Sequence, residues 1–333
     1  SLWMAASLLW ILDAGNNTAM EPYRAFVADK LNDEQQPTGF QMQSFFTGFG
    51  QTLANLSLFI FPMIFIGKTG SLPTWVYASF FLGAVCSIGS IWWSMHTTSE
   101  IEPTAEELAE IRSRKTNVLE SIFEIFHAIG EMPKVMWQLA LVYLFQWYAL
   151  FCYWQNSSKS IALSVWNATP KDNPELYEQA VSWTGLVNGW YNIVTFLSAL
   201  ALARYANKYG AKTVHMVCLI LAAAGFLAFP HIENKNLLFF AISGFGIGWA
   251  SMMGIPYLLV VGDIPKERYG VYMGIINMMI VIPMILQNLS FGYILKHFLD
   301  NDPRNAITFA GALLAIAALA TAFIQPSPSK QSA

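Results

Sequence analysis

The sequence predicts an all-α polytopic membrane protein, and two features of the whole chain carry that prediction. Of its 333 residues, 55% are hydrophobic and only 12% are charged, whereas a soluble domain carries about 25% charged residues. The apolar residues form long runs, each close to the roughly 20 residues that a helix needs to cross a bilayer. Nine such runs are visible, at about 2–27, 40–66, 73–95, 133–156, 182–203, 212–230, 237–261, 270–296 and 306–324.

Lysine and arginine set the expected orientation of these spans. Counted at alternate ends of the runs, twelve of the 18 basic residues fall on one side and six on the other. Cytoplasmic loops carry the excess of positive charge, so the chain is expected to start outside and to end in the cytoplasm. We expect a multi-pass protein of the plasma membrane, or of the inner membrane in a bacterium. The chain opens directly into a span, so we interpret it as lacking its first helices.

An internal repeat predicts how the spans are grouped. Pro22–Asp29 has a counterpart in Pro256–Asp263, and a Gly-x-x-Met and an Asn-Leu-Ser segment follow each. Parallel repeats of six helices are a transporter architecture, which makes these spans nine of a presumed twelve transmembrane helices. The predicted parts are the last three helices of a first half at 1–95, a cytoplasmic central loop at 96–131, a six-helix second half at 132–325 and a cytoplasmic tail at 326–333.

The polar segments between the runs carry local signals of their own. In the central loop, Thr104 and Glu107 have the spacing of a helix-capping box, and Ser121–Ile129 is apolar on one side, as in helices that lie along a membrane surface. A second segment, about 157–181, is rich in Asn, Ser and Pro and is read as an external loop without assigned secondary structure.

The first span carries charges that are costly inside a bilayer. Asp13 and Arg24 are eleven residues apart, so they share a helix face and lie roughly 16 Å apart along the axis. Asn17 and Glu21 fall near the same face. Ionisable residues in spans usually face a polar path, which predicts proton coupling at Asp13 and Arg24 and substrate contacts at Asn17 and Glu21. The alternative is a static polar network that holds helices together.

Two further groups of residues are candidate functional positions. Aromatic rings stack on sugar rings and amides match hydroxyl groups, so substrate contacts are also predicted at Gln146, Tyr148, Asn188, Tyr191, Trp249 and Asn277. The alternative is that the aromatic residues belong to interfacial belts. Charged residues at expected cytoplasmic helix ends predict a gate at Asp29, Arg204, Lys208 and Asp263. Ordinary positive-inside charge explains the basic members equally well.

Several functional classes are excluded by composition and spacing. The net charge of -3 is too small to indicate a nucleic-acid partner. Three cysteines lie in separate apolar runs, so neither a disulfide framework nor a zinc site is expected. The five histidines are read as scattered over span ends and loops, and no catalytic cluster is visible. We expect no enzyme activity, no metal and no cofactor.

The residues of the first span resemble a known family. Leu12-Asp13-Ala14-Gly15-Asn16-Asn17-Thr18, then Pro22, Arg24-Ala25 and Ala28-Asp29, is similar to the fourth helix of sucrose-type sugar symporters. These belong to the glycoside–pentoside–hexuronide branch of the major facilitator superfamily. The turn at Ala203–Lys212 resembles the cytoplasmic loop motif of that superfamily. The resemblance implies its fold, a coupling proton on Asp13, and contact of Arg24 with sugar or carboxylate.

Together these observations predict a secondary transporter that works by alternating access. The expected activity is proton-coupled symport of a disaccharide, sucrose-like or maltose-like, by a monomer in a lipid bilayer, with Na+ as the other candidate coupling ion. Two alternatives stay open. One is a facilitator or exporter of a non-sugar solute on the same fold, and the other is a membrane sensor that transports nothing.

Overall fold

A computed structural model describes residues 3–4, 7–16, 18–19, 36–70, 72–99, 118–260, 264 and 269–325. Those residues are overwhelmingly helical, which confirms the all-α prediction. The helices are α1 at 7–16, α2 at Gln36–Ile64, α3 at Thr74–Thr97, α4 at Val118–Gly130, α5 at Lys134–Trp166, α6 at Pro174–Tyr209, α7 at Ala211–Ala228, α8 at Leu238–Val260, α9 at Tyr269–Phe298 and α10 at Pro303–Ala322. A 3-10 turn, Phe229–His231, follows α7. An antiparallel pair, β1 at Lys68–Thr69 and β2 at Leu72–Pro73, joins α2 to α3.

Six helical segments in the described ranges are long and apolar enough to cross a membrane: Thr74–Thr97, Lys134–Trp166, Ala211–His231, Leu238–Val260, Val271–Phe298 and Pro303–Ala322. The runs at 40–66 and 182–203 also form helices, α2 and α6. The chain is therefore an integral multi-pass membrane protein, as expected from its runs of about 20 apolar residues.

The segment at 157–181 differs from its reading as a loop. Helix α5 continues to Trp166 and α6 begins at Pro174, which leaves residues 167–173 between them. Ser157 and Ser160 fall in the segment read as a loop, but both are buried inside the bundle. Helix α6 begins there because Asn173 caps it, accepting a hydrogen bond from the Leu176 amide, and Pro174 occupies the first turn, where its missing N–H costs nothing.

Two compact units divide the chain: residues 1–50 with 80–115, and residues 51–79 with 116–333. In the second unit, α8 packs against α6 and α7, α10 packs against α5 and α7, and α9 packs against α5. Helices α7 and α8 cross at glycines, because a Cβ at Gly225 would meet the Ala241 carbonyl oxygen and one at Gly244 would meet that of Leu221. Small residues of this kind let helices pack closely in membranes.

Helix α4 has the one-sided character expected of Ser121–Ile129. Ala128 is fully buried, while the rings of Phe123 and Phe126 are exposed on the other side. The last turn carries His127, whose Nδ1 lies 3.3 Å from Oε2 of Glu131. An amphipathic helix of this kind suits an interface between apolar and polar surroundings.

Candidate functional site

The sequence-predicted site residues fall into two groups with respect to the structure. Asn17, Glu21, Arg24, Asp29 and Asp263 lie outside the described residues. The described residues include Asp13, the predicted substrate positions of the second half, and the basic residues Arg204 and Lys208. For the first group the sequence-based prediction stands as it was made.

Asp13 lies in α1, within the first compact unit. Its side chain is exposed, as are the apolar side chains of Trp10 and Ile11 beside it. The hydroxyl of Thr18 donates a hydrogen bond to the Ala14 carbonyl (2.7 Å). An intrahelical bond of this type accommodates a hydroxyl group in a span without a partner on another helix.

An aromatic cluster fills the interior of the second unit where α5, α6, α7 and α8 meet. Its centre is Phe245 on α8, with the rings of Tyr153, Tyr191 and Phe226 within 5.3 Å, centroid to centroid. Trp249 extends the cluster one turn along α8. Edge-to-face and tilted pairs such as these add about 0.5–1.5 kcal/mol each beyond the area that they bury.

Trp249 connects this cluster to the predicted positions on α5. Its ring lies 5.7 Å from Trp147 and 5.5 Å from Trp154, both edge to face. Trp147 directly follows Gln146 in the chain. The structure therefore brings Trp249 and Tyr191 into one cluster, and Gln146 immediately precedes Trp147, a ring of that cluster, on α5.

Buried polar groups without partners mark the same stretch of α5. Among the described residues, neither amide atom of Gln146 has a hydrogen-bond partner, and neither does the indole nitrogen of Trp147. The Gln146 side chain is fully buried. A buried polar group left unpaired costs about 1–3 kcal/mol, so these adjacent groups require an explanation.

Asn188 on α6 is held next to the cluster by a tyrosine. The hydroxyl of Tyr153 donates to Oδ1 of Asn188 (2.8 Å), and Nδ2 of Asn192 donates to the Asn188 carbonyl (2.9 Å). Asn188 is half-buried, and its amide nitrogen carries two N–H donors. This geometry suits a side chain that donates to a ligand oxygen.

Sequence reasoning missed a cluster of amides between α5 and α9. Nε2 of Gln155 donates to Oδ1 of Asn288 (2.9 Å), and Nε2 of Gln287 donates to Oε1 of Gln155 (3.0 Å). Gln287 is fully buried. The signal was present in the sequence as amides within apolar runs, but only the packing of α5 against α9 pairs them.

Two of the predicted substrate positions lie away from the aromatic cluster. Tyr148 hydrogen-bonds to the hydroxyl of Ser290 (2.7 Å) and packs edge to face on Phe291 and Phe309. It therefore faces α9 and α10, opposite to its neighbour Trp147. Asn277 is exposed on α9.

The basic residues predicted to form a gate lie at the end of α6. Arg204 and Lys208 are both exposed, and the ammonium of Lys208 lies 5.1 Å from the centre of the Tyr209 ring. A cation over an exposed ring adds about 0.5–1 kcal/mol. Their predicted partners, Asp29 and Asp263, lie outside the described residues.

One histidine departs from the reading of span ends and loops. His215 lies inside α7 and is fully buried, and its Nδ1 hydrogen-bonds to the hydroxyl of Ser251 on α8 (2.8 Å). Its Nε2 has no partner among the described residues. The side chain therefore links α7 to α8. Hydrogen bonds between polar side chains hold neighbouring helices together in membranes. No group of three or more metal-ligating residues occurs in the part of the chain that the structure describes.

Comparison with known proteins agrees with this architecture. The family model described as Major Facilitator Superfamily matches residues 1–288. The sucrose transport protein SUT2 of Oryza sativa, in both subspecies indica and japonica, is 23% identical over 350 residues, which cover 95% of this chain and 69% of that protein. The sucrose transport protein SUC4 of Arabidopsis thaliana is 23% identical over 360 residues, covering 95% of this chain and 68% of that protein.

The model match covers most of the chain, and the helices have the length and apolar character of membrane spans. The resemblance drawn from Asp13–Asp29 is thus confirmed at the level of the family. The chain belongs to the Major Facilitator Superfamily and is a membrane transporter rather than an enzyme.

Proposed function

We propose that this transporter carries a disaccharide, sucrose-like or maltose-like, together with a proton. In this proposal the halves at 1–95 and 132–325 rock about a central site, as in other transporters built from parallel repeats. The plant relatives are named as sucrose transport proteins, and that likeness supports the choice of substrate. A monomer in the plasma membrane, with its C-terminus in the cytoplasm, completes the proposal.

The observation that carries the proposal is that, among the described residues, neither the Gln146 amide nor the indole N–H of the adjacent Trp147 has a hydrogen-bond partner. Within a membrane no bulk water can compensate such groups, so each one is costly. Sugar hydroxyls both donate and accept hydrogen bonds. A sugar that reached α5 in another conformation of the transporter would satisfy all three atoms at once.

Other predicted residues of the second unit offer the contacts that the apolar faces of a sugar need. Trp249 and Tyr191 supply ring surfaces for its C–H groups, and the half-buried Asn188 supplies amide donors. We assign the primary contacts to these residues. Tyr148 and Asn277 remain predicted sugar contacts outside this group. Tyr148 is hydrogen-bonded to Ser290, and Asn277 lies exposed on α9.

Replacing Gln146 by leucine separates a binding role from a structural one. Since the amide makes no hydrogen bond in the described structure, Gln146→Leu should leave the thermal stability unchanged or raise it. The affinity for sucrose or maltose should fall about tenfold, which corresponds to 1.4 kcal/mol. Isothermal titration and thermal unfolding of the purified protein measure the two quantities.

Gln138 is the matched control on the same helix. Its side-chain amide donates to the Phe323 carbonyl and accepts from the backbone N–H of Gln325. Gln138→Leu should therefore lower the thermal stability and leave the sugar affinity unchanged. Sugar binding by Gln146→Leu at the parental affinity would contradict the assigned site. Absence of disaccharide binding in the parent would favour a non-sugar solute or a sensor.

Asp13 is the proposed proton carrier. Its protonation would favour sugar binding, and release on the other side would follow its deprotonation, with Arg24 as the counter-charge. An amide cannot take up the proton, so Asp13→Asn should abolish sugar accumulation driven by a pH gradient in proteoliposomes of the full-length protein. Sugar exchange without a gradient should persist.

Asp172, in the connection between α5 and α6, provides a carboxylate control. Asp172→Asn removes an exposed charge there and should leave accumulation unchanged. Accumulation by Asp13→Asn at the parental level would assign the coupling elsewhere. Parental protein that equilibrates sugar but never accumulates it would identify a facilitator.

A further inference from the structure

An apolar groove on the second unit lies apart from the proposed sugar site. It has a volume of about 430 Å³ and is lined by Leu56 of α2, by Leu186, Trp190 and Ile193 of α6, and by Phe239 of α8. The indole N–H of Trp190 donates to the Ser243 hydroxyl (2.9 Å). The groove therefore offers carbon surface and no free donor from its tryptophan, which does not suit a hydrophilic solute.

The groove is built by close packing of α2 on α6. A Cβ at Gly189 would lie 2.9 Å from Cδ2 of Leu56, and one at Gly185 would lie 2.6 Å from the Asn55 carbonyl oxygen. The two glycines draw the helices together. Leu186, Trp190 and Ile193 project beside this contact and form a wall that close packing holds in place.

A cation and an interfacial aromatic residue lie above the groove. The indole N–H of Trp183 donates to the Lys235 carbonyl (3.1 Å), and the Lys235 ammonium lies 4.4 Å from the centre of the same indole ring. The Trp183 ring packs edge to face on Phe239, which lines the groove (5.7 Å). Tryptophan and lysine at a span end mark the level of the lipid headgroups.

The vertical spacing fits an amphiphile. Trp190 lies seven residues beyond Trp183 on α6, or about 10 Å deeper along the helix axis. A positive charge thus lies at the headgroup level, and the apolar groove lies deeper, at the level of the acyl chains. A single acyl chain is much thinner than a transmembrane helix, which is about 10 Å across, and the cation at the headgroup level favours an occupant with an anionic head group.

We propose that this groove binds the acyl chain of a phospholipid whose phosphate lies beside Lys235. The occupant comes from the leaflet at the N-terminal ends of α6 and α8. The site is independent of which solute the transporter carries. It holds one lipid against α2, α6 and α8 for longer than the lipids around it.

Photolabelling of the full-length protein in nanodiscs tests the acyl-chain contact. The probe is phosphatidylglycerol with a diazirine in the middle of one acyl chain, and the labelled peptides are mapped by mass spectrometry. Labels should concentrate at Leu186–Ile193 and at Phe239. Ile193→Phe, which fills the groove, should reduce that labelling about fivefold, as expected for about 1 kcal/mol of lost binding.

Leu197→Phe is the matched control, because Leu197 lies one turn further along α6, is exposed and does not line the groove. It should leave the labelling unchanged. Labelling that follows exposure evenly along the helices, or that is identical in the two variants, would overturn the proposal. Dimers in native mass spectra that Ile193→Phe disrupts and Leu197→Phe does not would assign the face to a second copy and would overturn it as well.

A surface substitution tests the headgroup contact without disturbing packing. Lys235→Gln should reduce the phospholipid retained in native mass spectra of the purified protein. Lys171→Gln removes an exposed charge in the connection between α5 and α6 and should not reduce the retained phospholipid. Equal retention in both variants would overturn the assignment of the phosphate to Lys235.

Discussion

At the residue scale, Asp302 shows how one side chain fixes the start of a span. Its Oδ1 accepts from the Arg304 amide (2.8 Å), which caps α10, and its Oδ2 lies 2.7 Å from Nη2 of Arg304. Partial burial by itself raises the pKa of the Asp302 carboxyl. The hydrogen bonds and charge of Arg304 outweigh that effect, so the pKa lies below its ordinary value of 3.8.

Two substitutions at Asp302 separate the cap from the charge. Asp302→Ala removes both and should lower the stability by about 1 kcal/mol, whereas Asp302→Asn keeps the cap acceptor and should cost less. Because the folded-state pKa is depressed, the contribution of the charge is present above pH 3.8 and is lost as the pH falls through the folded-state pKa. Thermal unfolding between pH 3 and pH 7 measures it. Glu233→Gln, at an exposed position, should change little, and an equal effect there would contradict the assignment.

Sequence reasoning reached individual site residues only in part. It selected Tyr191 and Trp249 by chemical type, and both lie in the aromatic cluster. It also selected Gln146, which precedes Trp147 and is buried. It also selected Tyr148, which faces α9 and α10 instead. Neighbours in a helix point about 100° apart, so residue type alone does not tell which of them faces a cluster. The packing partner decides, and it is distant in sequence.

At the element scale, the spans were predictable because a helix that crosses the bilayer needs a run of apolar residues. The positions of the helix ends were harder to predict. Ser157 and Ser160 read as a loop, yet they are buried within α5 together with Asn156, the last residue of the predicted run. Asn156 donates to the Cys152 carbonyl one turn earlier (2.9 Å), which satisfies the amide inside the helix. A polar residue with an intrahelical partner is compatible with a span, and the sequence pattern does not distinguish it from a loop residue.

Helix α8 offers a test of close packing with an internal control. Gly244→Ala places a Cβ against the Leu221 carbonyl oxygen of α7, so the helices must separate and the stability should fall by about 1–3 kcal/mol. Gly254→Ala on the same helix meets nothing within 4 Å, and replacing a helical glycine should there raise the stability by about 0.5–1 kcal/mol. Thermal unfolding in detergent compares them. Equal changes of the same sign would contradict a packing role for Gly244.

At the scale of the whole molecule, composition was the strongest guide. A charged fraction of 12% and runs of spanning length predicted a multi-pass membrane protein, and the match over residues 1–288 confirms the family. The sequence did not predict which distant side chains meet in the folded protein. The amides of Gln155 and Gln287 are 132 positions apart in sequence, and they meet only because α5 packs on α9.

The orientation of the whole molecule is a prediction from charge and is directly testable. With the nine predicted spans, twelve of 18 basic residues fall on the side of the C-terminus, and the positive-inside rule predicts that this side is cytoplasmic. A green fluorescent protein fused to the C-terminus should therefore fluoresce in bacterial cells, and alkaline phosphatase at the same position should be inactive. Active phosphatase with a dark fluorescent fusion would reverse the orientation.

At Gly210 the chain leaves α6 and enters α7 through one residue. Its backbone angles, φ 85° and ψ 137°, lie where side chains are disfavoured and glycine is not. A joint of one residue keeps the end of α6 and the start of α7 together, so we expect a displacement of one helix end to displace the other. Longer connections, such as residues 232–237 between α7 and α8, leave the helix ends that they join freer to separate.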